Sequence, residues 1–123
     1  MSSISSRILL IVDDDPEVLS ALGFLGGARD YEVRACADAA RALEAVTADV
    51  ACLVIDQGLP DMSGLDLLAR LRGFGVRAPA VLVTTAPSQA LRRQASAAEV
   101  MIVEKPLLDE ALFDQVDRLC RAA

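Results

Sequence analysis

The sequence contains no histidine. That absence removes imidazole-based acid–base chemistry, serine and cysteine triads, and His-ligated zinc. Cysteine is scarce: Cys36, Cys52 and Cys120 are widely spaced and form no CxxC pair. They read as reduced, buried thiols. Lysine is rarer still, since Lys105 is the only lysine among twelve basic residues, and so exceptional a choice of cation asks for a reason. No apolar run approaches the roughly 18 residues of a membrane span. The N-terminus, MSSISSRILLIV, has one late arginine and no small-residue cleavage site behind its apolar stretch. It makes a poor signal peptide, which predicts a cytoplasmic protein. A net charge of −6 argues against nucleic acid or an anionic membrane as a partner.

What is present is one domain's worth of globular chain. The 123 residues are 54% apolar and 24% charged, enough to build a single core over 1–123 without staples. There is no internal repeat, low-complexity segment or linker. Short apolar runs recur at even spacing: RILLIV (7–12), YEVRAC (31–36), ACLVI (51–55), PAVLVT (79–84) and VMIV (100–103). Helical stretches follow them, over 16–28, about 38–46, 65–72, about 88–97 and about 107–120. In the last, Leu108, Leu112, Val116 and Leu119 recur at helical spacing. The first, third and fourth runs are apolar nearly throughout, as strands covered on both faces must be. The second alternates, Tyr31, Val33 and Ala35 against Glu32 and Arg34, which suits an edge. Alternating strands and helices predict an α/β fold: a doubly wound, five-stranded parallel sheet of flavodoxin-like order.

Such sheets bind ligands beyond the carboxyl ends of their strands. Asp13, Asp14 and Asp15 follow the first strand, Asp56 the third, and Glu104-Lys105-Pro106 the fifth, while the fourth ends in Thr84 and Thr85. Asp15 before Pro16 reads as a helix N-cap, and Asp14 with Glu17 has the spacing of a capping box. Capping does not account for three carboxylates beside a fourth. Packed carboxylates repel unless a positive charge lies among them, and a hard divalent cation with oxygen ligands fits. Mg²⁺ takes one or two carboxylates plus phosphate oxygens, so the pattern suggests a site completed by a phosphoryl group. Asp56 is then its acceptor, as a carboxylate that forms an acyl phosphate. Thr84 offers a hydroxyl and Lys105 a compact cation to the phosphoryl oxygens. Each alone has an ordinary reading: an Asx turn at Asp56, a β-branched strand end at Thr84, a surface lysine at Lys105. Jointly, at one sheet edge, the ordinary readings fail. The Lys105–Pro106 bond is a place where a cis peptide would fix the loop.

The stretches LLIVDDDP, LVIDQGLPDMSGLDLL, PAVLVTT and VEKP, in this order and spacing, resemble the receiver domain of two-component response regulators. The likeness covers nearly all of Arg7 to Leu119. It implies strand order 2-1-3-4-5 and phosphoryl transfer to Asp56 from a phosphohistidine on a sensor histidine kinase or histidine phosphotransfer protein. It implies Mg²⁺ (or Mn²⁺) held by Asp14, Asp56 and the Gly58 carbonyl, with Asp13 in the outer shell. Thr84 and Lys105 would bind phosphoryl oxygens. Receivers act as signalling phosphoacceptors, catalysing only their own phosphorylation and dephosphorylation. Many dimerise through the fourth helix, fifth strand and fifth helix, where Phe113, Arg92, Arg93 and Arg118 are candidates here.

The departures fall near the switch. Ile102 stands where receivers carry Tyr or Phe, so output is expected to rely on backbone and helix shifts around 84–105. Thr85 replaces a smaller residue and is expected to slow exchange at Asp56. Ala98-Glu99 replaces a frequent Gly-Ala turn, and Gly58 and Ala86 bring no polar side chain to an attacking water. An aspartyl-phosphate phosphatase is disfavoured because Gly58 occupies the place of its second Asp. A dinucleotide-binding domain is disfavoured because Gly23, Gly26 and Gly27 lie late in the first helix. The remaining alternative is a receiver-fold binding module that acts without phosphorylation.

Overall fold

The structure is a computed structural model and describes residues 7–105 and 109–122. Ten elements alternate: β1 (Arg7–Val12), α1 (Pro16–Ala28), β2 (Tyr31–Cys36), α2 (Ala39–Ala45), β3 (Val50–Asp56), α3 (Gly64–Gly73), β4 (Ala80–Thr84), α4 (Gln89–Ala97), β5 (Met101–Glu104) and α5 (Asp109–Ala122). All four strand pairings are parallel, and the sheet order is β2-β1-β3-β4-β5. Pro106, with the Lys105–Pro106 bond, and Leu108 lie outside the described residues.

Two cores follow from the period-two alternation of the strands. Ile8, Leu10, Val12, Leu53, Ile55 and Leu82 face one way, against Leu67, Leu68 and Leu71 of α3 and Ala39 and Ala42 of α2. Leu9, Ile11, Val54, Val81 and Val83 face the other, against Leu22 of α1 and Leu112, Phe113 and Val116 of α5. Both faces of β1, β3 and β4 are therefore covered, as their continuous apolar runs predicted. β2 lies at the edge, although Ala35 is exposed instead of following the alternation. Cys36 and Cys52 are buried and free, and burial pushes the Cys52 thiol up to about 12. Cys120 is only partly buried.

Three expectations need correction. Strand β5 runs from Met101 to Glu104, one residue later than its apolar run, because its pairing with β4 carries on through Thr84 and Glu104. Strand β3 includes Asp56 itself. Phe113 is only 1% exposed and is no part of a dimer surface. It lies in the core beside Tyr31, with the Arg29 guanidinium over its ring. Arg29 also bonds Glu110, Asp114 and Asp117 of α5, and the Tyr31 hydroxyl donates to Asp117. This fastens α5 to the C-terminal end of α1 and the start of β2.

Helix α4 is seated differently. Ser88 caps it through Leu91 N–H, but Ala95 is its one buried residue. Arg92 reaches Glu104 of β5 at 2.6 Å. The turn after it passes through Glu99 at φ 56°, a left-handed position where glycine costs less.

Candidate functional site

Three polar residues are each held one step past the last pair of a strand ladder. Asp13 N–H donates to Cys36 O at 3.0 Å, Gln57 N–H to Val83 O at 2.9 Å, and Lys105 N–H to Thr84 O at 2.8 Å. The sheet ladder thus continues briefly beyond its core, and carries Asp13, Asp56 and Lys105 to one edge. Asp13 and Asp56 are the buried charged residues of the described chain.

Their side chains meet. Lys105 Nζ lies 3.1 Å from Oδ1 of Asp56 and 3.4 Å from Oδ2 of Asp13. The second oxygen of Asp56 accepts from Gly58 N–H at 3.2 Å, and Oδ1 of Asp13 accepts from Asp15 N–H at 2.9 Å. Asp15 in turn caps α1, accepting from Glu17 N–H at 2.9 Å, with Pro16 at the first helical position. Asp14 is exposed and is free to face a ligand, the capping role having gone to Asp15. One oxygen each from Asp13, Asp14 and Asp56 lies within 4.8 Å of the others. An all-oxygen, carboxylate donor set of this kind suits a hard divalent cation.

The electrostatics follow from the burial. Loss of solvent raises the Asp13 pKa, and the neighbouring Asp56 charge adds to this, more than the Asp15 amide and Lys105 offset. Burial works to lower the Lys105 pKa, but the hydrogen bond and charge of Asp56, with the charge of Asp13, outweigh it and hold the ammonium above its ordinary range. Lys105 therefore stands as a cation between two carboxylates.

Thr84 is the last residue of β4 and pairs with Glu104. Thr85 is exposed just beyond it, and Ala86 turns the chain at φ 46°. Ile102 pairs with Leu82 and is partly buried against the core that contains Leu53 and Leu82. Gly58 is exposed, and a Cβ placed there would stand 3.6 Å from Oδ2 of Asp56. Gly64 is tighter: a Cβ there would meet Asp56 O at 2.5 Å and Leu82 Cδ1 at 2.9 Å. The first turn of α3 packs on the backbone of Asp56.

Sequence reasoning missed two supports of this site. Gln57 caps α3 with its side chain, Oε1 accepting from Leu65 N–H at 3.0 Å. Asp61 caps α2 from outside, its two oxygens accepting from Ala39 N–H and Ala40 N–H, each at 3.0 Å. The local signal for α2 points only to Asp38, which accepts from Arg41 N–H. A cap delivered from 22 residues away leaves no local pattern.

Comparison with known proteins agrees with the fold. The family model described as the response regulator receiver domain matches residues 9–117. Transcriptional regulatory protein FixJ of Rhizobium meliloti is 31% identical over 111 residues, covering 88% of this chain and 54% of that protein. Transcriptional regulatory protein KdpE of Mycobacterium tuberculosis is 40% identical over 78 residues, covering 63% of this chain and 34% of that protein. The chain thus spans about a third to a half of the curated relatives it matches. Among solved structures, a CheY-like receiver domain protein from Methanospirillum hungatei JF-1 superimposes with a TM-score of 0.85 at 24% identity, over 97% of this chain and 100% of that one. Matched from residue 9 to residue 117, with the parallel order of its sheet intact, the chain belongs to the response regulator receiver domain family.

Proposed function

We propose that the chain, as one receiver unit over 1–123, is the phosphoacceptor of a two-component phosphorelay, with Asp56 as the modified residue. The observation that carries this reading is the meeting of Lys105 with Asp13 and Asp56 at the carboxyl edge of the sheet. An oxygen of Asp56 forms the new P–O bond as the P–N bond of a phosphohistidine breaks, and the electron pair leaves with the donor imidazole. The donor is a sensor histidine kinase or a histidine phosphotransfer protein. Lys105 and Thr84 bind the phosphoryl oxygens, and Lys105 keeps its charge throughout.

Asp14, Asp56 and the Gly58 carbonyl would hold Mg²⁺ or Mn²⁺, with Asp13 in the outer shell. The cation would supply neutralisation of the charge on the phosphoryl oxygens. Output follows from shifts of residues 84–105, including the α4–β5 seam, since Ile102 has no ring to turn. A homodimer would use α4, β5 and α5 through Arg92, Arg93 and Arg118. Thr85 restrains access to Asp56, and Thr85→Ala should speed both gain and loss of the phosphoryl group. Unchanged rates would dismiss that role.

The test is phosphorylation by acetyl phosphate, with and without Mg²⁺, read by intact mass on this chain and on Asp56→Asn. One added phosphoryl group, dependent on Mg²⁺ and absent from the variant, is expected. No gain under any condition would favour a receiver-fold module that binds partners unphosphorylated, the reading to which the Ile102 and Thr85 departures point.

A further inference from the structure

The segment between Asp56 and α3 carries Gly58, whose carbonyl is the one main-chain ligand in the reading above. Nothing in the side chain of a glycine can aim that carbonyl, so its direction depends on where the rest of the loop is fastened. The far end is secured: Gln57 O accepts from Gly64 N–H at 3.0 Å, Gln57 Oε1 from Leu65 N–H, and Ser63 Oγ from Asp66 N–H at 3.1 Å. Leu59 and Met62 pack partly buried against the core. Gly58 N–H itself bonds Asp56 Oδ2 at 3.2 Å, and beyond it the middle is secured among the described hydrogen bonds by Asp61, to a different helix.

The Asp61 contact is more than a second cap. The first amides of α2 divide between two acids: Arg41 N–H goes to Asp38, which precedes the helix, and Ala39 and Ala40 N–H go to Asp61. Asp38 completes the helix from within its own segment. Asp61 adds a bridge between that helix and the loop. Because both carboxylate oxygens are engaged, the side chain is fixed in orientation as well as position. The amides of Ala39 and then Ala40 hold the carboxyl below its ordinary range despite the opposing effect of burial, so the bridge is an anion at the positive end of a helix.

We propose that Asp61 is a positioning residue of the phosphoacceptor site: by bridging the Ala39 and Ala40 amides, it sets where the Gly58 carbonyl stands relative to Asp13, Asp14 and Asp56. It touches neither metal nor phosphoryl group and acts through the loop. The proposal rests on the phosphoacceptor reading for the role of Gly58, but the tether itself does not.

The test compares Asp61→Ala, Asp61→Asn and Asp38→Ala in the full chain. Amide hydrogen exchange without divalent ions reads the tether, and calorimetric titration with Mg²⁺ reads the site. Supporting contacts of metal ligands typically affect affinity by about 10–100-fold, so Asp61→Ala should weaken Mg²⁺ binding by about tenfold and speed exchange over residues 57–62. Asp61→Asn, with one acceptor kept, should recover part of both. Asp38→Ala loosens the same helix and should leave the Mg²⁺ affinity near wild type. Equal loss in Asp38→Ala and Asp61→Ala would overturn the proposal, since a loosened α2 would then explain everything. So would wild-type affinity and exchange in Asp61→Ala. If the wild-type chain binds no Mg²⁺, the phosphoacceptor reading fails, and faster loop exchange in Asp61→Ala would still sustain the tether while unchanged exchange would remove it.

Discussion

Lys105 and Asp56 meet ammonium to carboxylate at 3.1 Å, across the carboxyl ends of β5 and β3. The same ammonium lies 3.4 Å from Asp13. Lys105→Met would leave two buried carboxylates facing each other without a cation. The expected cost is about 1–2 kcal/mol, below that of a fully buried pair because the lysine keeps some contact with water. Thermal melts should show a fall in Tm that added Mg²⁺ recovers in part. An unchanged Tm in low-salt buffer would contradict the arrangement.

Asp13 gives the opposite sign. Its folded-state pKa is raised, first by burial, so the folded chain holds this proton more tightly than the unfolded chain does. Its contribution to stability therefore falls as pH rises from the ordinary value of 3.8 through the folded value, above which the penalty is complete. Asp13→Asn should raise the Tm at neutral pH by a few degrees, an advantage that vanishes on acidification. Calorimetry across pH checks both parts.

The anchor of α5 predicts acid sensitivity. Burial opposes it, but the Tyr31 hydroxyl and the Arg29 guanidinium hold Asp117 below the ordinary carboxylate range. A depressed carboxyl contributes stability that is full above its unfolded value of 3.8 and disappears as pH falls through the folded one. Tyr31→Phe should cost about 1 kcal/mol at neutrality, with the difference from wild type shrinking at the acid end. Arg29→Ala should also destabilise, with part of its effect removed by salt. Equal differences at every pH would show that Asp117 is not the partner that matters.

Two glycines in helices should respond in opposite directions. At Gly64 a methyl group would press on the Asp56 carbonyl and Leu82, and Gly64→Ala should cost about 1–3 kcal/mol while impairing phosphorylation. At Gly27 a methyl group meets nothing within 4 Å, and Gly27→Ala should stabilise by roughly 0.5–1 kcal/mol. Chemical denaturation of the two variants side by side decides this.

The strands were legible because their apolar runs are short and separate, those of β1, β3 and β4 being apolar nearly throughout, and the strand-end rule then located Asp13, Asp56 and Lys105 without any contact being known. The Asp15–Pro16 and Ser88 starts are local and obey local rules. What stayed hidden depends on tertiary distance. Phe113 reads equally well as a surface anchor or a core residue from helical spacing, and only the position of Tyr31 and Arg29 decides. Asp61 resembles any acid in a turn until α2 is placed beside it. The extension of β5 to Glu104 comes from pairing with β4, which overrides the end of the apolar run.

Ala95 is the one buried residue of α4, with Leu91 packed partly buried beside it, against the four buried residues of α3. Local opening follows such differences. Among the described residues, α4 has the fewest buried of the helices around this sheet. It is also the helix reached from Thr84 through the Ala86 turn. On the reading proposed above, a small change in force at the carboxyl edge would therefore move α4 mainly at the expense of the Ala95 and Leu91 contacts.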